Sequence, residues 1–186
     1  MLGVRNAAIV RLQSGGKNLR EPMMAVSLRE SVQLVSDPQN LDASVEEVFR
    51  MMLGVNCLRN AAPPAAGHGQ ESMTAVVGFG GILSGACVFR CTSDVALTIA
   101  GHMTATEFNA VDDLVKDAIG EMCNILAGTW KGKVPELSAN CGLSVPAVIT
   151  GRDYNLHVQA PEFQLQHHYR FGEASFSVTI VCDGLQ

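Results

Sequence analysis

Several features that mark other protein classes are missing from this sequence. No apolar run approaches the roughly 20 residues that span a bilayer, and the N-terminus lacks the apolar core and cleavage pattern of a secretory signal. The formal net charge of −5 argues against a nucleic-acid-binding surface, and the basic residues that concentrate in the first 22 positions are sparse enough to be a solvated arm. We therefore expect a cytoplasmic protein that binds neither a membrane nor nucleic acid.

The cysteine pattern also lacks the spacing of a zinc site. Six cysteines are scattered along the chain without a CxxC pair. Cys87 and Cys91 lie four apart in a strand-like run, so we interpret them as small buried hydrophobic residues. His167 and His168 are adjacent and do not have the spacing of a metal clamp. The pattern predicts reduced thiols and no metal site.

The 186 residues are enough for one domain with a substantial core. Residues 1–22 lack periodicity, contain the polar break QSGGKN and carry sparse basic residues, so we expect a flexible extension. Met23 and Met24 follow, which leaves open whether the natural start lies there. Residues 23–40 are a lead-in that ends in the turn-like sequence SDPQN, and 41–186 form the single domain.

Three segments have helical patterns. The first, LDASVEEVFRMMLG, predicts a helix capped at Asp42 or Ser44 and ended by Gly54. A short helix is expected from Ser93 through Met103, and a longer one from about residue 109 to residue 126 or a little beyond.

The remaining segments are typical of strands. SMTAVVGF and ILSGACVFRCT, joined at Gly80-Gly81, predict a β-hairpin, and a second hairpin is expected to turn at 171–173. Residues 60–71 are predicted to form a loop, and residues 141–151 a loop that leads into an extended segment. Helices and antiparallel hairpins without regular βαβ alternation indicate the α+β class.

The longer helix has an unusual polar face. At about 100° per residue, Glu121, Asn124 and Gly128 all fall within about 40° of Asp117, and the apolar residues cover the opposite arc. A solvated helix face usually carries Lys, Arg and Glu, whereas this one carries short side chains, and Asn is a poor helix former. Gly120 flanks the stripe, and its bare backbone would let another macromolecule approach closely.

The spacing of these residues resembles a known signature. Asp117, Glu121, Asn124 and Pro146 follow the pattern D-x3-E-x2-N-x21-P, which is similar to that of the bacterial chemotaxis phosphatases of the CheC/CheX/FliY family. The surrounding sequence VDDLVKDAIGEMCNILAG looks like the motif helix of that family over its full length. The hairpin VVGFGGILSGACVFRCT and the helix DVALTIAGHM look like the elements that precede it, so the resemblance covers roughly residues 41–183.

This resemblance implies a fold and an activity. The fold would have helices packed on one face of a largely antiparallel sheet. The activity would be hydrolysis of the aspartyl phosphate of a CheY-type response regulator, which supplies its own Mg²⁺, so that the chain needs no cofactor. By analogy, Asn124 would enter the partner's active site and orient the attacking water, and Glu121 would pair with the partner's lysine.

The supporting positions have smaller expected roles. Asp117 would help through hydrogen bonds or partner contact, and Pro146 would shape the loop beside the helix. Gly120 and Gly128 would give clearance to the partner.

The number of sites distinguishes members of this family. Two-site members repeat the motif in their first helix, but here Glu46 is followed three residues later by Phe49, and Glu47 by Arg50. A single site is therefore implied, which makes CheX the closest branch and implies a homodimer formed by sheet edges. A non-catalytic dimeric docking or sensory module of a two-component system is the alternative. A flagellar switch component is a third, less favoured alternative, because we expect no room after the last predicted strand for the motor domain to which two-site relatives are fused.

Overall fold

The computed structural model describes residues 35–60, 70–154, 156–157 and 161–185. The expected extension 1–22, most of the lead-in 23–40 and most of the predicted loop 60–71 lie outside these residues.

The described part of the chain forms four helices and seven strands. In chain order they are α1 (Pro38–Leu53), β1 (Leu58–Asn60), β2 (Ser72–Gly81), β3 (Leu83–Thr92), α2 (Ser93–Thr104), α3 (Asp113–Gly132), α4 (Pro135–Asn140), β4 (Cys141–Leu143), β5 (Ala147–Gly151), β6 (Phe163–Phe171) and β7 (Ala174–Leu185).

All seven strands join one antiparallel sheet, in which six of them follow the order β1-β6-β7-β3-β2-β4. Strand β5 also pairs with β2, further along the edge that β4 occupies. Both predicted hairpins are confirmed, because β2 pairs with β3, and β6 pairs with β7 through a turn at Gly172. Among the described residues, no helix is both long and apolar enough to cross a membrane.

Helix α1 begins earlier than the sequence suggested. Asp37 is its N-cap and accepts a hydrogen bond from the backbone N–H of Gln39 at 2.9 Å, and Pro38 occupies the first turn, where a proline loses no hydrogen bond. The predicted cap at Asp42 or Ser44 is therefore wrong, and SDPQN contains the start of the helix. Gly54 ends the helix with φ 68°, as expected for a left-handed C-cap.

Asp42 has a different role, since it joins α1 to the edge of the sheet. Its Oδ1 accepts hydrogen bonds from the Tyr169 hydroxyl at 2.7 Å and lies 2.8 Å from His167 Nδ1. Its Oδ2 accepts from Arg59 Nη1 at 3.0 Å. Burial, followed by the contact with Asp42, raises the pKa of Tyr169 well above its usual value. One carboxylate therefore binds side chains from β1 and β6 together.

The other element boundaries differ by a few residues. Helix α2 agrees with its prediction to within one residue, but α3 starts at Asp113 because Asp112 caps it, accepting from the Val115 N–H at 2.9 Å. It also runs on to Gly132, beyond the predicted end at 126. The sequence analysis missed β1 and α4, which have only three and six residues, and it assigned the three residues of β4 to a loop.

The helices pack on one face of the sheet, which confirms the predicted fold class. Phe49 of α1 stacks on Phe176 of β7, with ring centroids 4.5 Å apart and planes 4° apart. The ring centroids of Trp130 in α3 and Phe79 in β2 are 5.2 Å apart. These aromatic contacts fix α1 and α3 against the sheet and so determine which face of α3 remains outside the core.

Candidate phosphatase site on helix α3

Helix α3 has a buried side and a polar side, as its sequence predicted. Its buried residues are Val115, Ala118, Ile119, Gly120, Met122, Cys123, Leu126, Ala127 and Trp130. Ile125 is partly buried against the same core. The opposite side carries the polar residues of the motif.

The polar residues lie within reach of one another. Asp117 and Glu121 are exposed and Asn124 is half-buried. Asn124 Nδ2 lies 3.5 Å from Glu121 Oε2, which is a long, weak donor–acceptor contact. Among the described residues, no Lys, Arg or His forms an ion pair with Glu121 or Asp117. The carboxylate of Glu121 and the amide of Asn124 are therefore available to an external partner.

Gly120 does not give clearance to a partner, and this expectation is corrected. It is buried, and a Cβ placed on it would lie 3.3 Å from Pro146 Cβ and 3.4 Å from Val148 Cγ2. The small residue is needed because the chain's own β4–β5 connection packs there. Pro146 does lie beside the helix, in agreement with its expected place.

Gly128 has more room than Gly120. A Cβ placed on Gly128 would have Leu143 Cδ1 at 3.8 Å as its nearest neighbour, which is an ordinary van der Waals distance. The two glycines precede and follow Asn124 by one helical turn, and the segment from Leu143 to Pro146 runs past both. The segment from Leu143 to Pro146 thus lies along one side of Asn124.

The first helix presents no second motif. Phe49 is fully buried, Arg50 pairs with Glu46 at 3.8 Å, and Glu47 pairs with Lys133 at 2.8 Å. No asparagine stands at the required position, so α1 lacks the arrangement found on α3.

The cysteines of the structure have no role in this site. All six are buried, and Cys123 Sγ lies 3.5 Å from the backbone oxygens of Ala75 and Cys87, toward the sheet. Burial raises the pKa of Cys57 to about 12, with a smaller contribution from Glu46. Burial also raises the pKa of Cys91 well above its usual value. Protonated, buried thiols are poor nucleophiles.

The sequence analysis missed the residues next to Pro146. Ser144 and Val145 lie in the β4–β5 connection, between two strands that each pair with β2. Their signal was their position immediately before the proline of the motif.

Comparison with known proteins places this chain and its fold in one family. A family model described as "Chemotaxis phosphatase CheX" matches residues 73–168. The CheY-P phosphatase CheX of Thermotoga maritima is 30% identical over 119 residues, which are 62% of this chain and 76% of that protein. The chain belongs to the CheX family of chemotaxis phosphatases.

Solved structures support the same fold. CheX from Vibrio vulnificus has a TM-score of 0.63 at 19% identity and covers 77% of this chain and 94% of its own. The CheX–CheY–BeF3–Mg²⁺ complex from Borrelia burgdorferi has a TM-score of 0.62 at 20% identity, over 77% of this chain and 96% of that chain.

Proposed function

We propose that this protein accelerates hydrolysis of the aspartyl phosphate of a CheY-type response regulator. The observation that carries the proposal is the pair formed by Glu121 and Asn124 on the outward side of α3. Among the described residues, no Lys, Arg or His side chain forms an ion pair with the Glu121 carboxylate. Membership in the CheX family and the Thermotoga relative named CheY-P phosphatase support it.

In the proposed reaction the partner contributes most of the charge stabilisation. Its Mg²⁺ and an active-site lysine neutralise the phosphate oxygens, and Asn124 holds the attacking water in line with the phosphorus–oxygen bond to the aspartate. The water oxygen forms a bond to phosphorus while the phosphorus–oxygen bond to the aspartate breaks. The products are inorganic phosphate and the free aspartate carboxylate. This chain therefore needs no cofactor of its own, because its contribution is positioning.

Glu121 has the proposed role of recognising the partner. Its carboxylate forms an ion pair with the partner's lysine and thereby sets the position of Asn124 relative to the phosphate. Asp117, one turn before Glu121, supports the same contact. The Borrelia CheX complex with CheY supports a partner of this kind.

We further propose that the protein acts in the cytoplasm as a homodimer joined through sheet edges. The short strands β1 and β5 lie at opposite edges of the described sheet, and they expose Leu58 and Ile149. Sedimentation equilibrium measures the assembly, and a monomer at micromolar concentration contradicts this part of the proposal.

The test is release of inorganic phosphate from a phosphorylated CheY-type regulator of the same genome. We expect the wild type to accelerate release and Asn124→Ala to lose about 10²-fold in rate, the scale for misplaced catalytic groups, which is about 2.7 kcal/mol of barrier. Asn109→Ala, an exposed amide outside α3, is the matched control.

Neither variant should lose more than about 0.5 kcal/mol in the free energy of unfolding, because the changed side chains are not in the core. Asn124→Ala should gain about 0.5 kcal/mol, because Ala is the better helix former. Wild-type activity in Asn124→Ala contradicts the assigned role. Tight binding of the regulator by a wild type that releases no phosphate indicates instead the non-catalytic docking module.

A further inference from the structure

The loop that joins β4 to β5 exposes an apolar side chain beside the candidate site. Val145 is 85% exposed, the highest value among the large hydrophobic residues that the structure describes. Single exposed apolar residues are common on protein surfaces, so its exposure becomes informative only through its position and its support.

The loop is held on both sides of Val145. Ser144 N–H donates to the Gly78 carbonyl at 2.9 Å, and Ser144 Oγ accepts from the Gly78 N–H at 2.9 Å. The same hydroxyl lies 2.9 Å from the carbonyl oxygen of Val145 and can donate to it. On the other side, Pro146 packs against Gly120. The backbone that carries Val145 is therefore fixed by strand β2 and by helix α3.

The course of this loop places Val145 next to the turn of Asn124. Leu143 contacts the position of Gly128 and Pro146 contacts that of Gly120, and these glycines are about 12 Å apart along the helix. Asn124 is midway between them. The residues between Leu143 and Pro146 therefore pass alongside Asn124.

A second exposed apolar residue lies on the other side of the polar stripe. Leu114 in the first turn of α3 is 62% exposed. On the helical wheel it lies about 60° from Asp117 on the side of Glu121, whereas Gly120 lies about 60° away on the other side. The polar stripe thus runs between Leu114 and the loop that carries Val145.

We infer that Val145 and Leu114 are the apolar contacts by which this protein docks the regulator surface around its phosphorylated aspartate. The inference rests on the proposed function and adds determinants of partner affinity to it. Val145 lies alongside Asn124, and Leu114 lies about 10 Å before Glu121 along the helix axis. Apolar contacts at these two places exclude water from the interface, and exclusion of water strengthens the proposed ion pair with the partner's lysine. Because the loop is already fixed, little conformational entropy is lost when Val145 is buried.

The chain offers a matched control for this inference. Met51 on α1 is 60% exposed and lies on the helix that has no motif. We compare Val145→Ser and Leu114→Ala with Met51→Ala in two assays. One measures phosphate release over a range of phospho-regulator concentrations, and the other measures binding of the beryllofluoride-activated regulator.

We expect each docking variant to raise KM and the dissociation constant about tenfold, as for contacts in the central part of an interface. The value of kcat should not change, because neither side chain is proposed to touch the phosphate or the water. Met51→Ala should behave as wild type in both assays. This combination of results supports the inference.

Three results with the variants overturn it. Unchanged KM and binding in both docking variants, with an active wild type, mean that the partner docks elsewhere. A loss of kcat at constant KM means that the loop positions Asn124 and does not bind the partner. Conversion of a wild-type dimer to monomers by Val145→Ser means that the residue serves self-association.

The binding assay separates this inference from the proposed function. If the wild type binds the regulator but releases no phosphate, the proposed function fails, and the binding constants of the variants still test the docking contacts. Absence of binding by the wild type overturns the docking inference.

Discussion

The two glycines on either side of Asn124 should respond in opposite ways to the same substitution. Alanine stabilises a helix interior by about 1 kcal/mol relative to glycine. In Gly128→Ala the new methyl group has its nearest neighbour at 3.8 Å, whereas in Gly120→Ala it lies 3.3 Å from Pro146 Cβ and 3.4 Å from Val148 Cγ2. Only the second substitution requires the neighbouring atoms to move by a few tenths of an ångström.

These distances set the expected magnitudes. Gly128→Ala should gain up to about 1 kcal/mol in the free energy of unfolding, which for a chain of this length raises Tm by about 2–4 °C. Overpacking costs roughly 1–3 kcal/mol, so Gly120→Ala should fall between no change and a loss of about 2 kcal/mol. The difference between the two variants is the quantity of interest.

Chemical denaturation measures both values with an intrinsic probe. The single tryptophan, Trp130, is fully buried in the same helix, so its fluorescence reports on the packing of α3. Equal stabilisation by the two substitutions would refute the packing of Pro146 on Gly120.

The activity of the same variants tests the role of Gly128. If that glycine only lies beside the segment at Leu143, Gly128→Ala keeps its phosphatase rate. A large loss of rate without a loss of stability would support the earlier expectation that a partner needs bare backbone there.

Substitutions at two further residues test other parts of the structure. Glu121→Lys should abolish productive binding of the phospho-regulator, because it sets a cation against the partner's lysine. Glu121→Gln should weaken binding by roughly 2–5 kcal/mol. Calorimetric titration measures the affinity of both variants. Asp42→Ala should lower the free energy of unfolding by about 1–3 kcal/mol for each buried donor it leaves unsatisfied, chiefly Tyr169 and His167. The exposed Asp94→Ala serves as its control in denaturation, and equal stability of the two variants would contradict the role given to Asp42.

The parts of the fold that depend on local pattern could be predicted from the sequence. Alternation of apolar residues indicated both hairpins, and the helical period indicated which side of α3 is buried. Helix ends were less predictable because several nearby residues can act as caps: Asp37 and Asp42 are both plausible, and only one is used. The role of Asp42 depends on residues 125 and 127 positions away, and no local signal contains that information.

The candidate site shows the same division. The outward placement of Glu121 and Asn124 follows from the helical period and was predictable. The burial of Gly120 was not, because Pro146 and Val148 approach it from a different part of the chain. The sequence indicated that a small residue was required at this position, but not which neighbour required it.

The contrast between α1 and α3 explains why one helix carries the site and the other does not. On α1 the Glu47 carboxylate binds Lys133 at the C-terminal end of α3, and Phe49 stacks in the core. The Glu47 ion pair therefore joins α1 to the end of α3, the Phe49 stack holds α1 against the sheet, and neither group is available to a partner. On α3 the corresponding polar groups make no ion pair among the described residues, since the packing is done by the opposite side of the helix. The contact with α1 thus helps to keep α3 fixed while Glu121 is exposed and Asn124 is half-buried on its outward side, which is the arrangement that a positioning mechanism requires.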